Sequence, residues 1–276
     1  MTARVTIQTG DFNLADEVDA LRKVDKRVGA ICTFTGTVRD QNDGLSVSSM
    51  ELEHYPGMTE KAIEAMVDEA MLRFDIFGAR VIHRVGLLQP LDQIVMVAVT
   101  SAHRGESFKA CEFLMDYLKT QAPLWKKEET PTGARWVDAL RKNDKRVGAI
   151  CTFTGTVRDQ NDGLSVSSME LEHYPGMTEK AIEAMVDEAM LRFDIFGARV
   201  IHRVGLLQPL DQIVMVAVTS AHRGESFKAC EFLMDYLKTQ APLWKKEETP
   251  KGARWVDARV SDDASLAKWG IGASNA

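Results

Sequence analysis

Hydrophobic and polar positions follow two different periods along the first half of the chain. "RVGAICTFTGTVR" (Arg27–Arg39) is dense in β-branched and aromatic residues, and "LSVSSMELEHY" (Leu45–Tyr55) alternates, so both are expected as strands. "DQNDG" (Asp40–Gly44) between them is expected as a turn, and Pro56-Gly57 stops the second strand. "MTEKAIEAMVDEAMLRF" then changes period. Its Ile63, Met66, Val67, Ala70, Met71 and Phe74 form one apolar stripe at helical spacing, with Thr59 expected to cap the start. "ARVIHRVG" and "QIVMVAVTSA" return to strand, separated by "LLQPLD". "GESFKACEFLMDYLKTQ" is a second amphipathic helix, with Phe108, Cys111, Met115 and Leu118 inward and Pro123 beyond its end. "LWKKEE" and "ARWVD" are short extended segments. Strands with two interspersed helices make an α+β unit. At the N-terminus, "RVTIQT" is expected as an edge strand, followed by a helix capped near Asn13.

The same pattern then starts again. Residues 18–136 align with 137–255 without a gap at an offset of 119, and only Val24/Asn143 and Thr132/Lys251 differ. A period of this length is domain-sized, unlike the 20–50 residues of stacked repeats. Val-Asp-Ala recurs at 18–20, 137–139 and 256–258, as though a single-copy parent of 276 minus 119, or 157, residues had been duplicated between its short repeats. The expected organisation is one copy over residues 1–136, without its own C-terminal tail, and a second over 137–276, without the N-terminal segment. No Gly/Ser/Pro linker separates them, so Trp136–Lys142 must serve as both an end and a beginning.

Composition narrows the class. A net charge of −6 argues against a nucleic-acid partner. No apolar run approaches the roughly 20 residues of a membrane span, and the N-terminus lacks the layout of a signal peptide. Cys32, Cys111, Cys151 and Cys230 form no C-x-x-C pair, so they are expected as buried, reduced thiols in a cytoplasmic protein.

Against this acidic background, cations gather in a few places. "GTVRD" (Gly36–Asp40) closes a strand. "SAHRGES" (Ser101–Ser107) joins a strand to a helix whose free N–H groups suit an anion. His103 there is read equally as a helix cap or a ligand group. Lys119 ends the second helix, where a lysine commonly complements the dipole. "WKKEE" (Trp125–Glu129) has the ordinary reading of a solvated strand. Were Arg39, His103, Arg104, Lys119, Lys126 and Lys127 to converge, they would suit a phosphate-bearing substrate. Phosphate-loop, dinucleotide, nucleophile-elbow and H-E-x-x-H motifs are all missing.

The ordered motifs "CTFTGTVRDQN", "LEHYPGMTEKA", "VIHRVG", "VTSAHRGESFKAC", "FLMDYLKTQAPLWKKE" and "GARWVDAR" closely resemble the large, catalytic subunit of molybdopterin synthase. The resemblance covers residues 1–138, resumes across 137–257 and extends into the C-terminal tail. It implies an α/β hammerhead-type fold, here in two tandem copies, and a central dimer. It implies a small ubiquitin-like sulfur-carrier subunit whose Gly-Gly thiocarboxylate tail enters the site. It also implies transfer of two sulfurs to cyclic pyranopterin monophosphate to make the dithiolene of molybdopterin, with neither a cofactor nor a metal. By resemblance, Lys119 and Lys126, repeated as Lys238 and Lys245, are the catalytic residues. Thr37, Val38, Arg39, His103, Arg104, Lys127 and Glu128, repeated as Thr156, Val157, Arg158, His222, Arg223, Lys246 and Glu247, contact substrate. The duplication leaves three arrangements open: a pseudo-dimer within one chain, segments swapped between chains, or one copy partly unfolded. Activity below that of the single-copy parent is expected. An assembly-impaired variant and a non-catalytic module that only binds the small subunit's tail are the alternatives.

Overall fold

The computed structural model describes residues 4–42, 45–130, 133–136, 147–161, 163–250, 252–256 and 268–270, with the backbone alone for Asn42, 127–130 and 133–136. The first copy runs β1 (Val5–Gln8), α1 (Leu14–Arg22), β2 (Ala30–Thr37), β3 (Gln41–Asn42), β4 (Leu45–Ser46), β5 (Ser49–His54), α2 (Met58–Arg73), β6 (Gly78–Arg84), β7 (Gly86–Leu88), β8 (Gln93–Ser101), α3 (Arg104–Thr120), β9 (Leu124–Thr130) and β10 (Gly133–Trp136). The second repeats the order from β2 onward: β11 (Ala149–Thr156), β12 (Gln160–Asn161), β13 (Leu164–Ser165), β14 (Ser168–His173), α4 (Met177–Arg192), β15 (Ile195–His202), β16 (Gly205–Leu207), β17 (Gln212–Ser220), α5 (Arg223–Thr239), β18 (Leu243–Thr249) and β19 (Gly252–Val256). The junction from Val137 to Lys142, and with it the expected boundary after Trp136, lies outside the described residues.

The copies pair within the chain and share one seven-stranded sheet in the order β1-β6-β8-β2-β11-β17-β15. Its centre is the antiparallel pair β2–β11, in which Thr33 faces Thr152, Phe34 faces Cys151 and Cys32 faces Phe153. Thr33 and Thr152 are the same position in the two copies, so a local two-fold axis passes between their hydrogen-bonded hydroxyls. Across that axis Phe34 stacks on Phe227 and Phe108 on Phe153, with centroids 5.6 and 5.5 Å apart. The four cysteines are buried in this shared core, which continues from one copy into the other. Smaller four-stranded sheets, β10-β9-β5-β7 and β16-β14-β18-β19, flank the central one.

Strand β8 shows why an unbroken apolar run is needed in the first copy. Val95, Val97 and Val99 face the helices, while Met96 and Ala98 pack with Ile82 under Phe12, Leu14 and Leu21 of the N-terminal segment. Both faces are covered, so period 2 is hidden. Among the described residues the identical β17 has no such segment above it, and its burial alternates residue by residue. Ile201, the counterpart of Ile82, is 47% exposed. The N-terminal expectations hold. β1 is the edge strand, parallel to β6, and the Asn13 side chain accepts from the Ala15 N–H.

Two expectations for α2 change. Its N-cap is Gly57, whose φ of 78° suits a residue without Cβ. Thr59 already lies inside the helix, where its hydroxyl accepts from Tyr55 N–H and donates to the Pro123 carbonyl. Met71 falls off the buried stripe and is 37% exposed.

Candidate functional site

A cavity of about 580 Å³ opens where the end of β11 meets the start of α3. Backbone contacts across the central pair explain why two copies build it. The Thr156 hydroxyl donates to Val28 O (2.6 Å) and its N–H to Gly29 O (3.2 Å). Gly29 N–H in turn donates to Ser101 O (3.0 Å), and the Ser101 hydroxyl holds His103 O at 2.7 Å. The N-terminus of the first copy's α3 is thereby fixed against the second copy's strand end. Arg158 lies across Gly29, where a Cβ would meet Arg158 Cδ and Ala102 O at 2.7 Å each.

The walls therefore come from both copies: His103 and Arg104 from the first, Thr156, Arg158, Lys238 and Lys245 from the second. Arg104 is held from behind by Asp235, with Nε and Nη2 both 2.8 Å from Oδ1. On the opposite wall the Glu247 carboxylate is 1% exposed. It accepts from both Asn161 Nδ2 (3.0 and 3.1 Å) and Lys245 Nζ (2.6 Å), with Arg254 at 3.2 Å. Burial opposes its ionisation, but Lys245, Asn161 and Arg254 together hold the carboxyl below the usual range. Asn161 also accepts from Arg158 (3.1 Å), so Arg158 and Lys245 are tied into one network.

The mirror arrangement surrounds Lys119. Thr37 donates to Val147 O (3.0 Å), Gly148 N–H to Ser220 O (3.0 Å), and Arg39 packs on Gly148. Burial first, then the neighbouring Arg223, Arg39 and Lys126, push the Lys119 ammonium down to about 8, against the pull of Asp116. Arg223 belongs to the other copy, where His222 is the N-cap of α5. Arg223 is held by Asp116 through Nε at 2.8 Å.

The sequence places a full set of candidate residues within each copy; the structure exchanges half of each set. Lys119, Arg39 and Lys126 lie with Arg223, while Lys238, Arg158 and Lys245 line one cavity with His103 and Arg104. Antiparallel pairing of β2 with β11 forces this crossing, because it points each α3-type N-terminus at the other copy's strand end. Each histidine is a helix N-cap by position, yet neither side chain makes the capping bond.

Three other expectations are corrected or left. Val38 and Val157 are core residues, 1% and 0% exposed, with Met50, Leu52 and Leu88 around the first and Met169, Leu171 and Leu207 around the second. Their N–H and C=O groups are also bonded, to the 91–92 and 210–211 turns, so both residues are engaged within the fold. Lys246 points away from its neighbours Lys245 and Glu247, as strand alternation requires, and instead approaches Glu170 (3.8 Å) and the Trp255 ring. The side chains of Lys127 and Glu128 lie outside the described residues. In backbone register the two positions face Glu51 and Met50.

Asn161, Arg254, His202 and Asp235 were not among the sequence candidates. Asn161 lies in the second occurrence of "DQN", a motif already quoted for its resemblance, which was its available signal. His202 lines the cavity, and burial keeps its pKa below the usual histidine value.

The MoaE protein family model matches the chain twice, over residues 7–121 and 127–240. A molybdopterin synthase catalytic subunit of Ralstonia nicotianae is 64% identical over 140 residues, covering 51% of this chain and 80% of that protein. One of Escherichia coli is 57% identical over 122 residues, covering 44% of this chain and 81% of that protein. A solved MoaE protein from Burkholderia ambifaria is 56% identical and covers 52% of this chain and 94% of that one, with a TM-score of 0.45.

Proposed function

The chain belongs to the MoaE protein family along two successive stretches, and we propose that it is a molybdopterin synthase catalytic subunit carrying two composite sites in one polypeptide. The reaction is transfer of sulfur from the thiocarboxylated Gly-Gly tail of a small ubiquitin-like subunit to cyclic pyranopterin monophosphate. In each transfer the thiocarboxylate sulfur bonds to a carbon of the pterin side chain as a carbon–oxygen bond there breaks and its oxygen leaves protonated. Water adds to the acyl carbon as the acyl carbon–sulfur bond breaks, leaving the tail as a carboxylate. Two such transfers make the dithiolene.

One observation carries the reading: an acidic protein gathers Arg39, Lys119 and Lys126 with Arg223 of the other copy, and the loss of water around the Lys119 ammonium, reinforced by these cations, brings that lysine to about 8. Such crowding is costly without an anion and favourable with one. The arginines hold the phosphate and the pterin, since guanidinium forks match phosphate oxygens. Lys119 and Lys238 exchange protons at the reacting sulfur. A lysine near 8 can do this around neutral pH, whereas an ordinary one stays charged. Lys126 and Lys245 stabilise negative charge as it develops. Glu247, pinned by Asn161 and Arg254, fixes the height of Lys245 at the wall.

The test is a sulfur-transfer assay with thiocarboxylated small subunit and cyclic pyranopterin monophosphate. The double variant K119A/K238A should lose at least about a hundredfold in rate, the scale of a general acid–base group. Undiminished turnover in that variant would refute the assignment.

A further inference from the structure

The duplication leaves two copies of one surface and a single tail to cover them. On the second copy, Lys268 and Trp269 cover the outer face of α4 and α5. Trp269 meets Phe193 and Phe232 edge-on, with centroids 5.8 and 5.6 Å away. Its indole N–H donates to Asp235 at 2.9 Å, and its carbonyl accepts from Arg192 at 2.7 Å. Lys268 bridges Glu231 (2.8 Å) and Asp235 (2.9 Å). Beneath this cover Phe232 is fully buried, and the Asp235 side chain is 2% exposed.

The first copy carries the same side chains as Arg73, Phe74, Glu112, Phe113 and Asp116 in the same arrangement. Phe74 packs on Phe113 at 5.6 Å and Arg73 lies over the Phe113 ring at 5.0 Å, as Arg192 lies over Phe232. Among the described residues, nothing takes the place of Lys268 and Trp269 there. The Asp116 side chain is 55% exposed, Phe113 is partly open, and Glu112 faces solvent. Glu112 keeps an exposed edge, but partial loss of water around its carboxyl, with Asp116 and Glu231 close by, raises it above its ordinary value. An acid pair one helical turn apart thus sits beside an aromatic floor. The N-terminal segment, which only this copy has, is used elsewhere. It pairs with β6 and packs under β8 on the opposite side of the sheet.

We infer that the α2–α3 face of the first copy is a docking site for a peptide segment presenting a lysine followed directly by a tryptophan. The lysine lies between Glu112 and Asp116, the indole stands edge-on to Phe74 and Phe113 with its N–H on Asp116, and Arg73 donates to the tryptophan carbonyl. The occupant's chemistry is set by the sister surface, where the chain's own Lys268–Trp269 makes each of these contacts. The inference does not rest on the catalytic reading, although Asp116 also holds Arg223.

A fluorescent peptide with the sequence SLAKWGIGASNA, residues 265–276 of this chain, titrated into the full chain and followed by anisotropy, tests the inference. One peptide should bind per chain. E112K should weaken it about tenfold or more, as should replacing the peptide's lysine by glutamate or its tryptophan by alanine. Glu112 is on the surface, so E112K leaves the fold intact. In the K268A/W269A chain, which frees the second copy's face as well, two peptides should bind. If the tail of another chain already fills the site, the peptide displaces it and the mass falls to that of one chain, which supports the same assignment. Absence of binding overturns the inference. So does binding that survives E112K but is lost in E231K, because the peptide would then only be replacing the tail on the second copy.

Discussion

If the two sites are built crosswise, inactivating one lysine makes the chain sensitive to one arginine and indifferent to the other. K119A should remove one site and leave about half the turnover per chain, carried by Lys238. In that background R104A should be severe, because Arg104 lines the Lys238 cavity from the opposite copy. A hydrogen bond from a charged donor contributes about 1.5–3 kcal/mol, so losing it from the transition state lowers kcat/KM about 10- to 150-fold. The fold should survive. Asp235, which Arg104 leaves behind, keeps Lys268 and the Trp269 N–H, both at 2.9 Å. R223A in the same K119A background should do almost nothing more, because Arg223 serves the site already lost. In a K238A background the two arginine variants should exchange behaviour. The assay is single-turnover sulfur transfer with saturating thiocarboxylated small subunit. If R223A rather than R104A silences the K119A chain, each site is complete within its own copy and the crosswise reading is wrong.

Further outcomes follow from the same contacts. G29A should impair the Lys238 site across the copy boundary, since its Cβ would press on Ala102 O and Arg158; an overpacking cost of about 1–3 kcal/mol should show as a lower urea midpoint, and unchanged stability would contradict the packing. In a K238A chain the rate should climb with pH through about 8 as Lys119 loses its proton, because a lowered pKa leaves the neutral amine more populated at each pH; a flat profile across that region rules out Lys119 as the titrating base. W269A removes two aromatic contacts and one hydrogen bond to Asp235, worth about 2 kcal/mol together, so the melting temperature should fall by roughly 4–8 °C, and a shift below a degree would mean that the tail does not hold the second copy. Turnover per site should lie below that of the single-copy parent of 157 residues, because the second copy's outer sheet face lacks the N-terminal cover; equal rates would show that this cover is dispensable.

Much of the architecture was legible in local pattern. The strand at Ala30–Thr37, the two long helices of each copy and the edge strand at Val5–Gln8 follow from β-branched runs and helical stripes. Thr59 was misplaced as a cap because a threonine near a helix start fits two roles. Only the observed positive φ of Gly57 shows where the chain turns. Among site residues, Lys119 stood out as a cation edging toward an apolar face. Val38 was carried along by its neighbours in a motif, although its own chemistry gave no reason for substrate contact. Lys246 was named beside Lys245 although strand alternation sends the two to opposite faces.

The sequence by itself determined the family, the duplication and the chemical identity of nearly every side chain around the sites, because these are properties of residue order. It also dictated that one copy would lack a tail and the other an N-terminal segment. Only the tertiary structure decided which copies of those side chains meet. Residue order treats His103 as the natural partner of Lys119, sixteen positions away. Pairing β2 with β11 about a two-fold axis instead delivers His103 and Arg104 to Lys238, across more than a hundred residues. Both copies carry the same residues, so no local preference distinguishes the two assignments. The distinction arises from the geometry of an antiparallel sheet, which sets the end of each strand beside the beginning of its neighbour.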